Sequence, residues 1–193
     1  MGGTIRIREA QAPDAAMIAA IYAPYVRDTI ISFETEPPAA EEMSRRLTAI
    51  GARYPWLVAE QGGQVLGYAY AGEHRSRAAY RWDVDVAVYL AAEAHRRGIG
   101  RRLYGALFEV LRRLGHVNAY AGIALPNAAS VSLHEALGFL PVGIYRQVGY
   151  KHGAWHDVGW WGLGLQPPPA TPAEPMPYPM LDRAGLRTLL EAA

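Results

Sequence analysis

The stretch that most constrains this chain runs from Trp82 to Leu114. Trp82 to Leu90 alternates with period two, so that Trp82, Val84, Val86, Val88 and Leu90 share one face of a strand while Asp83, Asp85, Ala87 and Tyr89 share the other. His95-Arg96-Arg97-Gly98-Ile99-Gly100 follows, and apolar residues then recur at helical spacing as far as about Leu114. A strand, a glycine-rich turn and a helix make a general anion trap. The first helical amides have no partner in the chain, the helix dipole is positive there, and glycine lets the backbone come close. Spacing argues against two familiar anions. A dinucleotide fingerprint wants a third glycine where Leu103 stands, and a P-loop wants Gly-Lys-Ser/Thr where Arg101 and Arg102 stand. On this stretch alone, a glycine-started helix with solvated arginines remains the plain alternative.

Periodicity elsewhere predicts a strand over Thr4 to Glu9 and helices over Ala12 to Asp28 and about Ala39 to Arg53. Trp56 to Gln61, a Gly62-Gly63 turn and Gln64 to Ala71 make a hairpin. Val117 to Ile123 reads as a strand, Asn127 to Leu137 as a helix, and Phe139 to Lys151 with Trp155 to Leu165 as a closing strand pair. The order is mixed α/β. Half of the fourteen prolines fall between Pro167 and Pro179. Residues 1–165 are therefore expected to form the folded domain. Residues 166–193 are expected to be a stiff linker outside the packed core, ending in a short helix over Met180 to Ala193 that docks on a neighbouring subunit or frays.

A chain of 193 residues, 51% hydrophobic and 19% charged, is sized for one water-soluble domain, and no apolar run approaches a membrane span. Charges near the N-terminus predict no export. The lack of cysteine removes disulfides, thiolate metal sites and a cysteine nucleophile together, so a cytoplasmic setting is the expectation. A net charge of +1 speaks against nucleic acid as a partner.

Arg/Gln-x-x-Gly-x-Gly/Ala between a core strand and a long helix resembles the pyrophosphate loop of the GNAT acetyltransferases, with His95 where Gln or Arg is usual. Asn127 to Phe139 resembles a second signature of that superfamily. Arg53 to Glu60, Leu125-Pro126-Asn127, His134 to Gly138 and Lys151 to Gly159 narrow the likeness to phosphinothricin N-acetyltransferases, over about Ile5 to Leu165. The resemblance implies a GNAT acyltransferase fold with a mixed, mostly antiparallel central sheet flanked by helices. It also implies acetyl-CoA as co-substrate, a small glutamate-like amino acid as acceptor, and a homodimer, which the apolar closing strands would permit. Acetylation of another amine (a protein N-terminus, a polyamine, an antibiotic) and a non-catalytic CoA-binding module remain the alternatives.

Acetyl transfer from a thioester to an amine needs a base, donors for the oxyanion and a proton for the leaving thiolate, but no metal or covalent nucleophile. Asp85 is the expected base, because a carboxylate in mid-strand is costly unless partnered and burial raises its pKa. The resemblance places a glutamate there, and the missing methylene draws the carboxylate back by roughly 1.5 Å. His134 stands where many superfamily members carry a tyrosine that protonates the thiolate. For the cofactor, the expectation is Val88, Tyr89 and Leu90 as an open strand edge, Arg96, Arg97, Gly98, Ile99, Gly100 and Arg101 around the pyrophosphate, and Asn127 as helix cap and pantetheine contact. For an acidic substrate it is Arg75, Ser76 and Arg77, with Phe33 and Tyr80 as walls and Val86 and Ala87 beside Asp85. The remaining histidines show no metal-ligand spacing.

Overall fold

In the computed structural model, which describes residues 3–193, seven strands form one sheet in the order β1-β2-β3-β4-β5-β7-β6. In chain order the elements are β1 (Arg6–Glu9), α1 (Ala15–Asp28), α2 (Ala40–Gly51), β2 (Trp56–Gln61), β3 (Gln64–Glu73), β4 (Asp83–Leu90) and α3 (Ile99–Arg113). They continue with β5 (Asn118–Leu125), α4 (Ala128–Ala136), β6 (Leu140–Lys151), β7 (Ala154–Gly164) and α5 (Arg183–Glu191). Every neighbouring pair is antiparallel except β4 and β5, which α3 joins as a crossover. The mixed α/β sheet of the GNAT type is therefore present.

The two sheet faces carry different cores. Ile18, Ile21, Tyr22 and Val26 of α1 and Met43 and Leu47 of α2 pack on Val58, Tyr68 and their neighbours. Ile99, Leu103, Leu107 and Leu111 of α3 pack on Leu57, Ala69, Val84, Val86, Ala119 and Ala121 of the opposite face. The first turn expected of α1 is a short 3₁₀ turn, Ala12–Asp14. The Asp14 carboxylate there accepts from the Gln11 amide and from Arg8, which ties the turn to β1.

The tail differs from expectation. Tyr178, Leu181, Leu186 and Leu190 are buried in the same cluster as α3, and α5 lies against β1 and α3 of its own chain. Proline cannot join a sheet ladder, yet an extended segment can still lie across a surface and insert alternate side chains. The non-proline residues supply the bonds: the Met176 amide donates to the Leu114 carbonyl and the Tyr178 amide to that of Arg53. Asp182 caps α5 through the amides of Ala184 and Gly185.

The β4–β5 ladder positions the site. It pairs Asp83 with Asn118, Val84 with Ala119 and Asp85 with Tyr120, and stops there. Beyond this vertex the two strands part, β4 keeping only β3 and β5 keeping only β7 as partners.

Candidate active site

The Ala91 amide donates to the Leu66 carbonyl of β3. Alternation along the strand then turns the backbone groups of Val86, Val88 and Leu90 to the open side. Leu90 is already engaged there, since the Tyr25 hydroxyl donates to its carbonyl at 2.6 Å. The free edge lies at Val86 to Tyr89.

A cleft of about 560 Å³ runs along that edge, lined by Val88, Tyr89, Leu90, His95, Arg96, Gly98 to Arg101, Asn127 and Ser130. Gly98 takes φ 75°, a left-handed conformation that admits glycine, and closes the turn ahead of α3. The first bond of the helix runs from the Arg102 amide to the Gly98 carbonyl, leaving the N–H groups of Ile99, Gly100 and Arg101 unpaired along the helix. Three adjacent amides at the positive end of a helix fit a pyrophosphate. Gly100 has a packing reason as well, because a Cβ there would meet Leu133 of α4 at 3.3 Å. Arg97 points away from the cleft and donates to Gln61, while Arg101 reaches the Ala136 carbonyl. Asn127 caps α4, accepting from the Ser130 amide at 3.1 Å.

At its inner end the cleft meets the split between the strands, a space of about 60 Å³ lined by Val86, Ala87, Val88, Tyr89, Ala121 to Ala124, Tyr104 and His134. His134 is buried. Its Nδ1–H donates to the Ser130 carbonyl at 2.8 Å, so its Nε2 accepts from the Tyr104 hydroxyl at 3.0 Å. Burial holds its pKa below the ordinary histidine value. It is thus neutral at pH 7, and a proton it returned to a thiolate would have to come by way of Tyr104.

Asp85 sits at the vertex with a side chain 37% exposed, and its Oδ1 lies 2.6 Å from His74 Nδ1. Burial raises its pKa above the usual carboxylate range, and the hydrogen bond to His74 partly offsets that rise. The His74 ring stacks on Tyr120 at 4.5 Å and meets Tyr80 and Trp160 edge-on. Periodicity in the sequence did not single out His74, because it lies beyond β3 in a loop. Strand parity holds the signal: Gly72 pairs with Asp85, so His74, two residues on, returns to the same face.

The loop candidates divide between two walls. Arg75 stacks over Trp160 with 5.5 Å from Cζ to the ring, and its guanidinium donates to the His74 carbonyl. Arg75, Ser76, Arg77 and Tyr80 line a separate hollow of about 340 Å³ together with Arg53, Arg81 and Asp83. Phe33 lies elsewhere, stacked on His156 and pressed so closely on Gly149 that a Cβ there would come within 2.5 Å of the ring. The loop carrying it is pinned by Lys151, a buried residue outside the expected site, whose Nζ donates to the carbonyls of Val26 and Ser32. Among the described residues, no group of three or more potential metal ligands is gathered and no helix is long and apolar enough to cross a membrane.

Two parallel strands that part beneath a glycine-started helix, with a cleft running from the helix start into the split, define an acyltransferase of the GNAT class. The acetyltransferase (GNAT) domain family matches residues 7–160. The phosphinothricin N-acetyltransferase of Streptomyces viridochromogenes is 42% identical over 173 residues, covering 89% of this chain and 94% of that protein. An L-methionine sulfoximine/L-methionine sulfone acetyltransferase of Salmonella typhimurium is 37% identical, covering 82% of this chain and 94% of that one. The crystal structure of a GNAT phosphinothricin acetyltransferase from Sinorhizobium meliloti in complex with acetyl-CoA superposes with a TM-score of 0.83 at 35% identity, covering 91% of this chain and 98% of that one. The chain belongs to the phosphinothricin N-acetyltransferase family of the GNAT superfamily, and it is an acetyl-CoA-dependent N-acetyltransferase.

Proposed function

We propose that the enzyme acetylates the α-amino group of a small glutamate-like amino acid, of the phosphinothricin, methionine sulfoximine or methionine sulfone type, by direct transfer in a ternary complex. The observation that carries this reading is the position of the His74–Asp85 pair. It lies at the vertex of the strand split, next to Val86, where the space between the strands opens toward the cleft along β4. A base, an open strand edge and an enclosed channel meet the demands of amine acetylation with no covalent intermediate. Arg75, which donates to the His74 carbonyl and stacks over Trp160, supplies the cation against which an acidic group would rest, with Arg77, Ser76 and Tyr80 in the hollow next to it. The names of the relatives support the same substrate class. The absence of cysteine fits a cytoplasmic setting, and a second copy of the chain is the partner proposed for the exposed face of β6.

The test is thiol release from acetyl-CoA against phosphinothricin, methionine sulfoximine, methionine sulfone, other amino acids, polyamines and an N-terminal peptide. Turnover confined to the glutamate-like compounds is expected. Turnover of only an unrelated amine would overturn the substrate class, and CoA binding with no turnover of any amine would make the chain a binding module.

A further inference from the structure

We propose that His74, rather than Asp85, is the group that takes the proton from the substrate amine, and that Asp85 is its positioning residue. The inference rests on the reading of this site as an amine acetyltransferase centre, and it deepens that reading. Four observations carry it. First, the Asp85 carboxylate is not free: Oδ1 is held by His74 Nδ1 at 2.6 Å. Second, the bond sets the tautomer. An ionised carboxylate accepts, so Nδ1 carries the hydrogen and Nε2 keeps a lone pair, and that Nε2 makes no hydrogen bond to the protein among the described residues. Third, the ring is fixed in plane by stacking on Tyr120, the residue that pairs with Asp85 at the vertex, and by the edges of Tyr80 and Trp160. Fourth, proton transfer would leave a positive ring beside an opposite charge. The Asp85 carboxylate faces it at 2.6 Å. Arg75, over Trp160, is the nearest opposing charge named at the site.

Basicity points the same way. An imidazole titrates about two units nearer to neutrality than an ordinary carboxylate and is the better match to an ammonium substrate at pH 7. Burial lifts the Asp85 carboxyl above its ordinary range, and the histidine hydrogen bond partly opposes that lift. His74 Nε2 accepts one proton from the substrate ammonium, and the freed nitrogen lone pair forms the N–C bond to the acetyl carbonyl carbon. The tetrahedral adduct collapses as the C–S bond breaks with its electron pair on sulfur. The second nitrogen proton passes to the thiolate, giving the amide and CoA thiol, and His74 releases its proton to solvent. Asp85 keeps the ring in the right tautomer throughout and bonds to neither reactant.

The test joins kinetics to a direct reading of the ring in the intact enzyme. His74→Gln should lower kcat by about a hundredfold or more, the usual size of a general-base contribution, while KM for acetyl-CoA changes by no more than about twofold. A kcat within about threefold of the parent enzyme would overturn the proposal. Long-range proton–nitrogen NMR of the acetyl-CoA-saturated enzyme, with His74 assigned by its loss in His74→Gln, should show the Nδ1–H tautomer at neutral pH. It should also show that the Nδ1 proton loses its strong downfield shift in Asp85→Asn. An Nε2–H tautomer would overturn the proposal whether or not the variant folds well. The NMR readout needs no acceptor amine, so it decides the role of His74 even if the substrate panel rejects every glutamate analogue. Turnover of a different amine that still depends on His74 would remove the substrate class and leave this inference standing.

Discussion

Asp85 could be found in the sequence because a charged residue in an alternating apolar strand has few cheap explanations, whereas its partner could not. Histidine in a loop has many uses, and only the β3–β4 register brings His74 back to the face of Asp85. His134 could be placed on its helix by motif, but its hydrogen-bonded state depends on Tyr104 and on the Ser130 carbonyl, which no spacing rule reports. His116 shows the same limit away from the site. It is buried beside Tyr54, and burial together with the nearby Arg53 charge holds its pKa at about 4 against an ordinary 6.5. Above pH 6.5 the ring is neutral folded or unfolded, and its contribution to stability is fully present. As pH falls from 6.5 toward 4 the unfolded chain takes a proton that the folded chain refuses, so stability falls, by on the order of 3 kcal/mol from this group. Asp14 and Glu60, whose carboxyls are held below their ordinary values by Arg8, add their losses only in the more acidic part of that range and below it. Urea unfolding at pH 7 and pH 5 should therefore show a loss of roughly 2 kcal/mol for the parent chain and a clearly shallower loss for His116→Leu. Equal losses in the two proteins would place the acid sensitivity elsewhere.

At the scale of elements, every strand and helix that periodicity marked is present within a few residues, and all of the strands but β6 bury an apolar face. The tail failed for a different reason. Proline content predicts the absence of regular structure, which is not the absence of packing: Leu186 is 1% exposed and Tyr178 donates its hydroxyl hydrogen to Glu9. Leu186→Ala should cost about 2–5 kcal/mol in chemical denaturation, the range for a buried leucine that leaves a cavity. A cost below about 0.5 kcal/mol, typical of a surface position, would mean that α5 is undocked in solution. The loop between α1 and α2 was legible only as a connection. Three features build it into a roof: Lys151 binds its carbonyls, Phe33 covers Gly149, and Glu34 accepts from Arg46 and Tyr22. Gly149→Ala would drive a methyl into the Phe33 ring. Its expected signature is a raised KM for the amine with KM for acetyl-CoA within about twofold, measured by thiol release, since only Ile31 of this loop reaches the cleft beside α3. Parallel rises in both constants would show that the roof and the cofactor cleft move together.

For the molecule as a whole, the surface that remains unexplained is the β6 edge. Leu140, Val142, Ile144, Tyr145, Val148 and Tyr150 are all exposed, Leu140 by 71%, on the last strand of the sheet, and Trp155 at the start of β7 extends the patch. A long edge strand with apolar side chains on both faces is a pairing and aggregation hazard unless something covers it. A net charge of +1 offers little repulsion between copies. A second copy meeting the first across β6 would remove the hazard and close the assembly with a two-fold axis. Light scattering after size exclusion should therefore give twice the chain mass, and Val142→Asp with Ile144→Asp, which places two carboxylates on the exposed strand beside its bulge, should give the monomer. A parent chain that is monomeric at tens of micromolar would reject the dimer. The same strand supports the Phe33 loop, which rests on Gly149 and Lys151 of β6. If pairing stiffens β6, the monomeric variant should bind acetyl-CoA as before. Its loss should fall on the amine, as a KM raised by about an order of magnitude, the size expected when a positioning contact is loosened rather than removed.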